Sequence, residues 1–186
     1  NGRVEAGAGG LIPGGAECRF ELTWAQGSSK GERMDYAVQK AVELGVTRIV
    51  PIFTGRSVVR LNGERLERKL SHWQAVAISA CEQCGRNRVP AVMPAVDLTH
   101  WLAEPPSGDS TALVLDHRAS QRFRELKEAI HTATLLVGPE GGLSDAELDA
   151  AKVAGYRAVC MGPRVLRTET AAVAALAALQ SLCGDL

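Results

Sequence analysis

Residues 133–148 read ATLLVGPEGGLSDAEL, and the succession of residue types in this stretch decides the fold. Ala133 to Val137 is a short apolar run bounded by turn residues, which reads as a buried strand. Gly138-Pro139-Glu140-Gly141-Gly142 follows, and its glycines allow backbone conformations and close ligand approach that side chains would block. Ser144 and Glu147 have the spacing of a capping box, with Leu143 and Leu148 placed as a hydrophobic staple, so a helix starts at Ser144. Strand, glycine turn and capped helix in immediate succession predict a βα unit. Its turn lies beyond the carboxyl end of the strand, where ligands bind in open α/β sheets. Taken alone, the loop reads more readily as an ordinary tight turn, since glycine-rich turns are common.

The same rhythm recurs on both sides. Ala112 to Leu115 and Arg157 to Met161 are further short apolar runs, each expected to lead through a polar turn into a helix. Repetition of that unit predicts a largely parallel sheet flanked by helices, an α/β fold. The segments beyond these strands are Asp116-His117-Arg118 and the run Gly162-Pro163-Arg164-Val165-Leu166-Arg167-Thr168-Glu169-Thr170. Helix capping accounts for one threonine of the second run but not for both arginines, so a ligand site is expected there. Ala171 to Leu182 is too short to cross a bilayer and reads as a buried helix. A P-loop and a G-x-G-x-x-G fingerprint are both missing, which argues against the common nucleotide folds.

Upstream, Arg19 to Trp24 alternates as a strand does. Met34, Ala37, Val38, Ala41 and Val42 fall at helical spacing within Arg33 to Leu44, with Gly45 as the stop. Val46 to Phe53 reads as a strand. A long helix over Glu64 to Cys84 carries one stripe of Leu66, Leu70, Trp73, Ala77, Cys81 and Cys84, and ends in the polar loop Gly85-Arg86-Asn87-Arg88.

With 186 residues and 46% hydrophobic content, the chain suits one compact domain. Lys+Arg and Asp+Glu balance at 21 each, so no overall basic field announces a nucleic-acid partner. Any such surface is local, and Arg48, Arg56, Arg60, Arg65, Arg68, Lys69, Arg86 and Arg88 are the candidates, with a solvated face as the plain alternative. Five cysteines without framework spacing fit a reducing, cytoplasmic setting. Cys81-x-x-Cys84 falls late in a helix, where packed thiols are favoured over zinc or redox chemistry. His72, His100 and His131 have no partner at metal-ligand spacing, so no metal is expected; His117, at a strand end, is a candidate for the site.

Four blocks carry a family resemblance: MDYAVQKAVELGVTRIVPIFTGRSVV (34–59), ISACEQCGRNRVP (78–90), LLVGPEGGLSDAEL (135–148) and MGPRVLRTETA (161–171). In this order they resemble the RsmE family, the ribosomal RNA uracil-N3 methyltransferases of the SPOUT superfamily, from about Phe20 to the C-terminus. The resemblance implies a SPOUT domain with a C-terminal trefoil knot, a feature general folding rules would not propose. It also implies S-adenosyl-L-methionine as cofactor, homodimers, and an N-terminal PUA-like RNA-binding barrel. Residues 1–16 are expected to be a remnant of that barrel or a linker, and residues 17–186 the methyltransferase domain.

The implied cofactor residues are Leu115 and His117; Val137, Gly138, Pro139, Glu140, Gly141 and Gly142; and Met161, Gly162, Arg164, Val165, Leu166, Arg167, Thr168 and Thr170. Methyl transfer to uracil N3 needs in-line placement and help with the imide proton. Glu169 is the first candidate base and Arg167 the first charge stabiliser. Glu82, Gln83, Arg86, Asn87, Arg88 and Arg56 are candidate RNA contacts. The expected partner is small-subunit (16S) ribosomal RNA, as an assembled particle, with no membrane. The competing readings are another SPOUT enzyme acting on a ribose 2′-hydroxyl or a transfer RNA base, and a non-catalytic RNA-binding or ribosome-assembly module.

Overall fold

The computed structural model describes residues 16–28, 32–57, 62–104, 106, 110–126 and 130–186. The expected remnant at residues 1–16 therefore lies outside the described residues apart from Ala16, and so does Arg60. The elements run β1 (Glu21–Gly27), α1 (Glu32–Glu43), β2 (Arg48–Phe53), α2 (Gly63–Cys84), β3 (Ala91–Val92), β4 (Val96–Asp97), α3 (Leu98–Ala103), β5 (Thr111–Leu115), β6 (Thr132–Val137), α4 (Asp145–Val153), β7 (Arg157–Val159) and α5 (Thr168–Cys183). Among the described residues every strand pairing is parallel, in the order β3-β2-β1-β6-β5-β7, with β4 also pairing β2.

Successive side chains of a strand point to opposite faces, and both faces here are covered. Leu22, Trp24, Ile49, Leu113 and Leu135 enter one core with the buried sides of α1, α2 and α5. Ala25, Val50, Val114 and Leu136 enter a second core with Leu98 of α3 and Leu148 and Ala151 of α4. Full burial of each large side chain contributes about 2 kcal/mol. The five apolar positions of α1 singled out by spacing are its buried residues. On α2 the buried stripe is Trp73, Ala77, Ala80 and Cys81, and Gly85 closes the helix in the left-handed conformation, donating its N–H to the Cys81 carbonyl. Burial pushes the Cys81 thiol up, as suits a packed side chain.

Several elements differ from the sequence reading. β3, β4 and α3 are too short for periodicity to reveal, and β7 ends at Val159 rather than Met161. Between β5 and β6 the described residues form only a 3-10 turn, Phe123–Glu125, instead of a full helix. The apolar α5 buries Ala172, Ala175, Leu176, Leu179 and Gln180, while Leu182 is exposed, so one flank of this helix is open rather than enclosed.

Because the strands are parallel, their carboxyl ends share one edge and their amino ends the other. The expected RNA block Glu82 to Arg88 spans the last turn of α2 and the loop after it at the amino edge, shortly before β3. That edge lies about 20 Å, one six-residue strand, from the carboxyl ends. Glu82, Gln83, Asn87 and Arg88 are exposed there. Arg86 is not, and the expectation that it offers a charge to RNA is corrected. Its side chain is only 4% exposed, its Nη1 donates to the carbonyls of Val42 and Val46 at 2.9 Å, and Nε and Nη2 donate to Glu17. It is a structural bolt joining the end of α1, the start of β2 and the chain entering β1. Arg86→Ala strands two carbonyls and a carboxylate, and is expected to lower urea unfolding free energy by about 3 kcal/mol. An unchanged midpoint would contradict that role.

Candidate active site

The carboxyl edge gathers three loops. They follow β5, β6 and β7 and enclose a cavity of about 520 Å³. Leu115 and His117 enter from the first loop, Val137 and all of Gly138 to Gly142 from the second, and Met161, Gly162 and Arg164 to Thr168 from the third. Glu169 also lines it. Of the expected cofactor residues only Thr170 does not, being exposed on α5 while its neighbours Glu169 and Ala171 face inward.

The second and third loops are tied by a buried polar junction. Thr168 Oγ1 donates to the Gly138 carbonyl at 2.7 Å instead of capping α5. Gln26, 1% exposed at the end of β1, directs Nε2 to Thr168 Oγ1 at 3.0 Å, to the Gly138 carbonyl at 3.2 Å and to the Gly27 carbonyl at 2.9 Å. The crossing is tight enough to dictate residue type. A Cβ on Gly27 would run into the backbone of Pro139, and one on Gly138 would stand 3.0 Å from the Leu143 nitrogen.

The glycine loop is fixed from outside as well. The capping box forms as its spacing requires: Ser144 N donates to Glu147 Oε2 at 2.7 Å, and Glu147 N donates to Ser144 Oγ at 3.2 Å. Glu147 Oε1 accepts from Gly55 N at 2.7 Å, and Arg56 Nη1 donates to the Gly141 carbonyl at 3.0 Å. Arg56, expected as an RNA contact, thus stands beside the cavity as a brace for its loop. Burial alone would raise the Glu147 carboxyl, but the Ser144 and Gly55 N–H groups hold it below the ordinary value. On the far rim, Arg118 bridges Asp116 at 3.3 Å and Asp145 at 2.7 Å, joining the β5 loop to the first turn of α4. His117 is half exposed beside Asp116.

Among the charged groups lining the cavity, Arg33 lies between two of the carboxylates. Arg33 Nη1 lies 3.6 Å from Glu140 Oε1, and Arg33 Nε lies 4.0 Å from Glu169 Oε1. Among the described residues, Glu169 Oε2 is buried without a hydrogen-bond partner. Arg164 and Arg167 are exposed on the third loop. Sequence reasoning missed Gln26 and Arg33 because the strand-end rule was applied to three strands and not to β1. Gln26 following Trp24 and Ala25 at the carboxyl end of β1 was the available signal.

An RNA methyltransferase domain model matches residues 16–180, spanning the sheet, the cavity and most of α5. The chain belongs to the RNA methyltransferase domain family. Among solved relatives, Ribosomal RNA small subunit methyltransferase E from Neisseria gonorrhoeae, bound to S-adenosyl methionine, is 41% identical with a TM-score of 0.85, covering 91% of this chain and 69% of that one. A putative methyltransferase from Legionella pneumophila, also in complex with SAM, is 40% identical with a TM-score of 0.87, covering 92% and 70%. Ribosomal RNA small subunit methyltransferase E of Buchnera aphidicola (Schizaphis graminum) is 38% identical over 85% of this chain. The chain spans 64% of that curated relative's length. The SPOUT-type α/β fold implied by the sequence blocks is the one this chain shares with these family members.

Thr168→Val removes a donor to the Gly138 carbonyl and the acceptor of Gln26, and is expected to cost about 1–2 kcal/mol in urea unfolding, with Thr168→Ser near wild type. Equal losses in both variants would mean that packing, not the hydroxyl, holds the junction. Because the folded pKa of Glu147 is depressed, its stabilisation is complete above the ordinary value of 4.5 and is lost as pH falls through the folded value. Unfolding free energy measured against pH should therefore show a shallower acid limb in Glu147→Gln than in wild type.

Proposed function

We propose that this chain is the catalytic domain, residues 17–186, of an S-adenosyl-L-methionine-dependent methyltransferase that modifies N3 of a uridine in 16S ribosomal RNA. The observation that carries the reading is the meeting of three strand-end loops around one cavity with a partnerless buried carboxylate oxygen, in a chain whose relatives are named small-subunit RNA methyltransferases.

The residues present fit the cofactor. The cavity lies within the size range of small-molecule sites. Its apolar members Leu115, Val137, Val159 and Leu166 suit a planar base, the glycine loop brings main-chain groups close, and Glu140 and Glu169 oppose a cationic ligand. When bound, S-adenosyl-L-methionine supplies a methyl group on a sulfonium, open to displacement. Glu169 Oε2 takes the N3 proton of uracil, the electron pair left on N3 forms the new N–C bond, and the S–C pair stays on sulfur. Arg167 offers its charge to the uracil oxygens as negative charge develops. The third loop and the junction at Thr168 hold these groups in register.

The implied trefoil knot is supported by the chain's route: β7 lies outside β5, yet α5 returns past the β6 loop to pack on α1. A homodimer fits the open apolar flank of α5. Among the described residues no helix is long and apolar enough to cross a membrane. A cytoplasmic site of action follows from the proposed ribosomal RNA substrate. Exposed Glu82, Gln83, Asn87 and Arg88 form a proposed second contact with RNA of the assembled small subunit, at the edge away from the cavity.

Nucleoside mass spectrometry of treated small subunits tests the reading. Wild-type protein should yield N3-methyluridine, and Glu169→Gln should reduce its rate about 100-fold or more while calorimetric affinity for the cofactor stays within a few-fold. A different methylated nucleoside would contradict the substrate assignment, and near wild-type turnover in Glu169→Gln would contradict the base.

A further inference from the structure

Arg33 lies in the first turn of α1, lines the cavity, and is placed between two carboxylates, Glu140 of the β6 loop and Glu169 of the first turn of α5. Both separations, 3.6 and 4.0 Å, exceed hydrogen-bond length. The carboxylates hold the charge over the cavity without either of them engaging its N–H groups. Beside it, Glu169 Oε2 is buried with no hydrogen-bond partner among the described residues. A buried acceptor left unsatisfied costs about 1–3 kcal/mol, and such atoms call for a donor from outside the fold. A fixed acceptor next to a fixed multi-donor cation is a recognition pattern in its own right.

We infer that Arg33 and Glu169 together read the imide edge of the target base, Glu169 Oε2 accepting from N3–H while the Arg33 guanidinium donates to an adjacent carbonyl oxygen. The inference rests on the uridine-N3 reading above. It adds a positive group to the reaction that the sequence alone did not assign. Uracil presents a carbonyl, an N–H and a second carbonyl along this edge, so acceptor beside donor is its complement. Cytosine has a lone pair at N3, which would face the Glu169 carboxylate directly and be repelled. As the N3 proton moves to Glu169, negative charge spreads onto the flanking oxygens. Arg33, held by the Glu140 and Glu169 carboxylates, meets that charge without reorganising. The proton leaves N3 for the carboxylate, and the nitrogen pair goes into the new N–CH3 bond, so Arg33 transfers nothing and acts by position and charge.

The test compares wild type, Arg33→Lys and Arg33→Gln in the full-length protein, on small subunits reconstituted with RNA containing either uridine or 5-fluorouridine, whose N3 proton is more acidic. Cofactor affinity is measured in parallel by calorimetry. Arg33→Gln should lower kcat on the uridine substrate about 100-fold with cofactor affinity within twofold. The defect should shrink to about tenfold or less on 5-fluorouridine, because a more acidic imide needs less help. Arg33→Lys, which keeps the charge but loses the planar fork, should fall between. An equal defect on both substrates, a loss confined to cofactor affinity, or full activity in Arg33→Gln would each overturn the inference. If wild type itself makes no N3-methyluridine on either substrate, the underlying reading fails, and that result is visible before any variant is compared.

Discussion

The Gly138 carbonyl is the atom on which the site depends. It accepts from Gln26, 112 residues away at the end of β1, and from Thr168, 30 residues away at the start of α5. Gln26 and Thr168 are both buried, so a missing partner for either side chain would be costly. The junction therefore fixes where the β6 loop stops and where α5 begins, and through α5 it fixes Glu169. Gly27 is a consequence of it, since β1 and the β6 loop approach too closely there to admit a side chain.

Around that fixed point the protein divides its charges by task. Arg86 is enclosed among carbonyls and Glu17 at the amino edge, Arg56 braces Gly141, and Arg118 ties Asp116 to Asp145; all three hold backbone in place. Arg33 differs from them in spanning longer separations, 3.6 and 4.0 Å, to the carboxylates of Glu140 and Glu169. Glu169 retains a buried oxygen without a partner. Local polar dissatisfaction of this kind lowers stability and persists where function uses it. The braces supply the rigidity that lets one carboxylate remain unsatisfied.

Much of this was legible in the sequence. The capping box at Ser144 and Glu147, the five buried positions of α1 and the loops after β5, β6 and β7 rest on local spacing, and local spacing survives folding. What spacing cannot encode is which distant groups meet. Arg86 read as an exposed basic residue because its partners, Val42, Val46 and Glu17, are 40 to 69 residues away. Thr168 read as a cap or ligand contact; it lines the cavity, but its hydroxyl serves a carbonyl on another loop instead of capping α5. β3, β4 and α3 are too short to carry a period at all. Identity was legible from the four blocks together rather than from the glycine loop alone, which general rules leave open between a ligand platform and a plain turn.

The central claim is that the three strand-end loops hold one methyl donor. A crystal structure of the protein with S-adenosyl-L-methionine tests it most directly. The account predicts density inside the cavity, against the main chain of Gly138 to Gly142 and of Leu166 to Thr168, with the methyl group directed toward Glu169. Density at any other place, or crystals that take up no cofactor at concentrations that saturate the Neisseria gonorrhoeae relative, would contradict it.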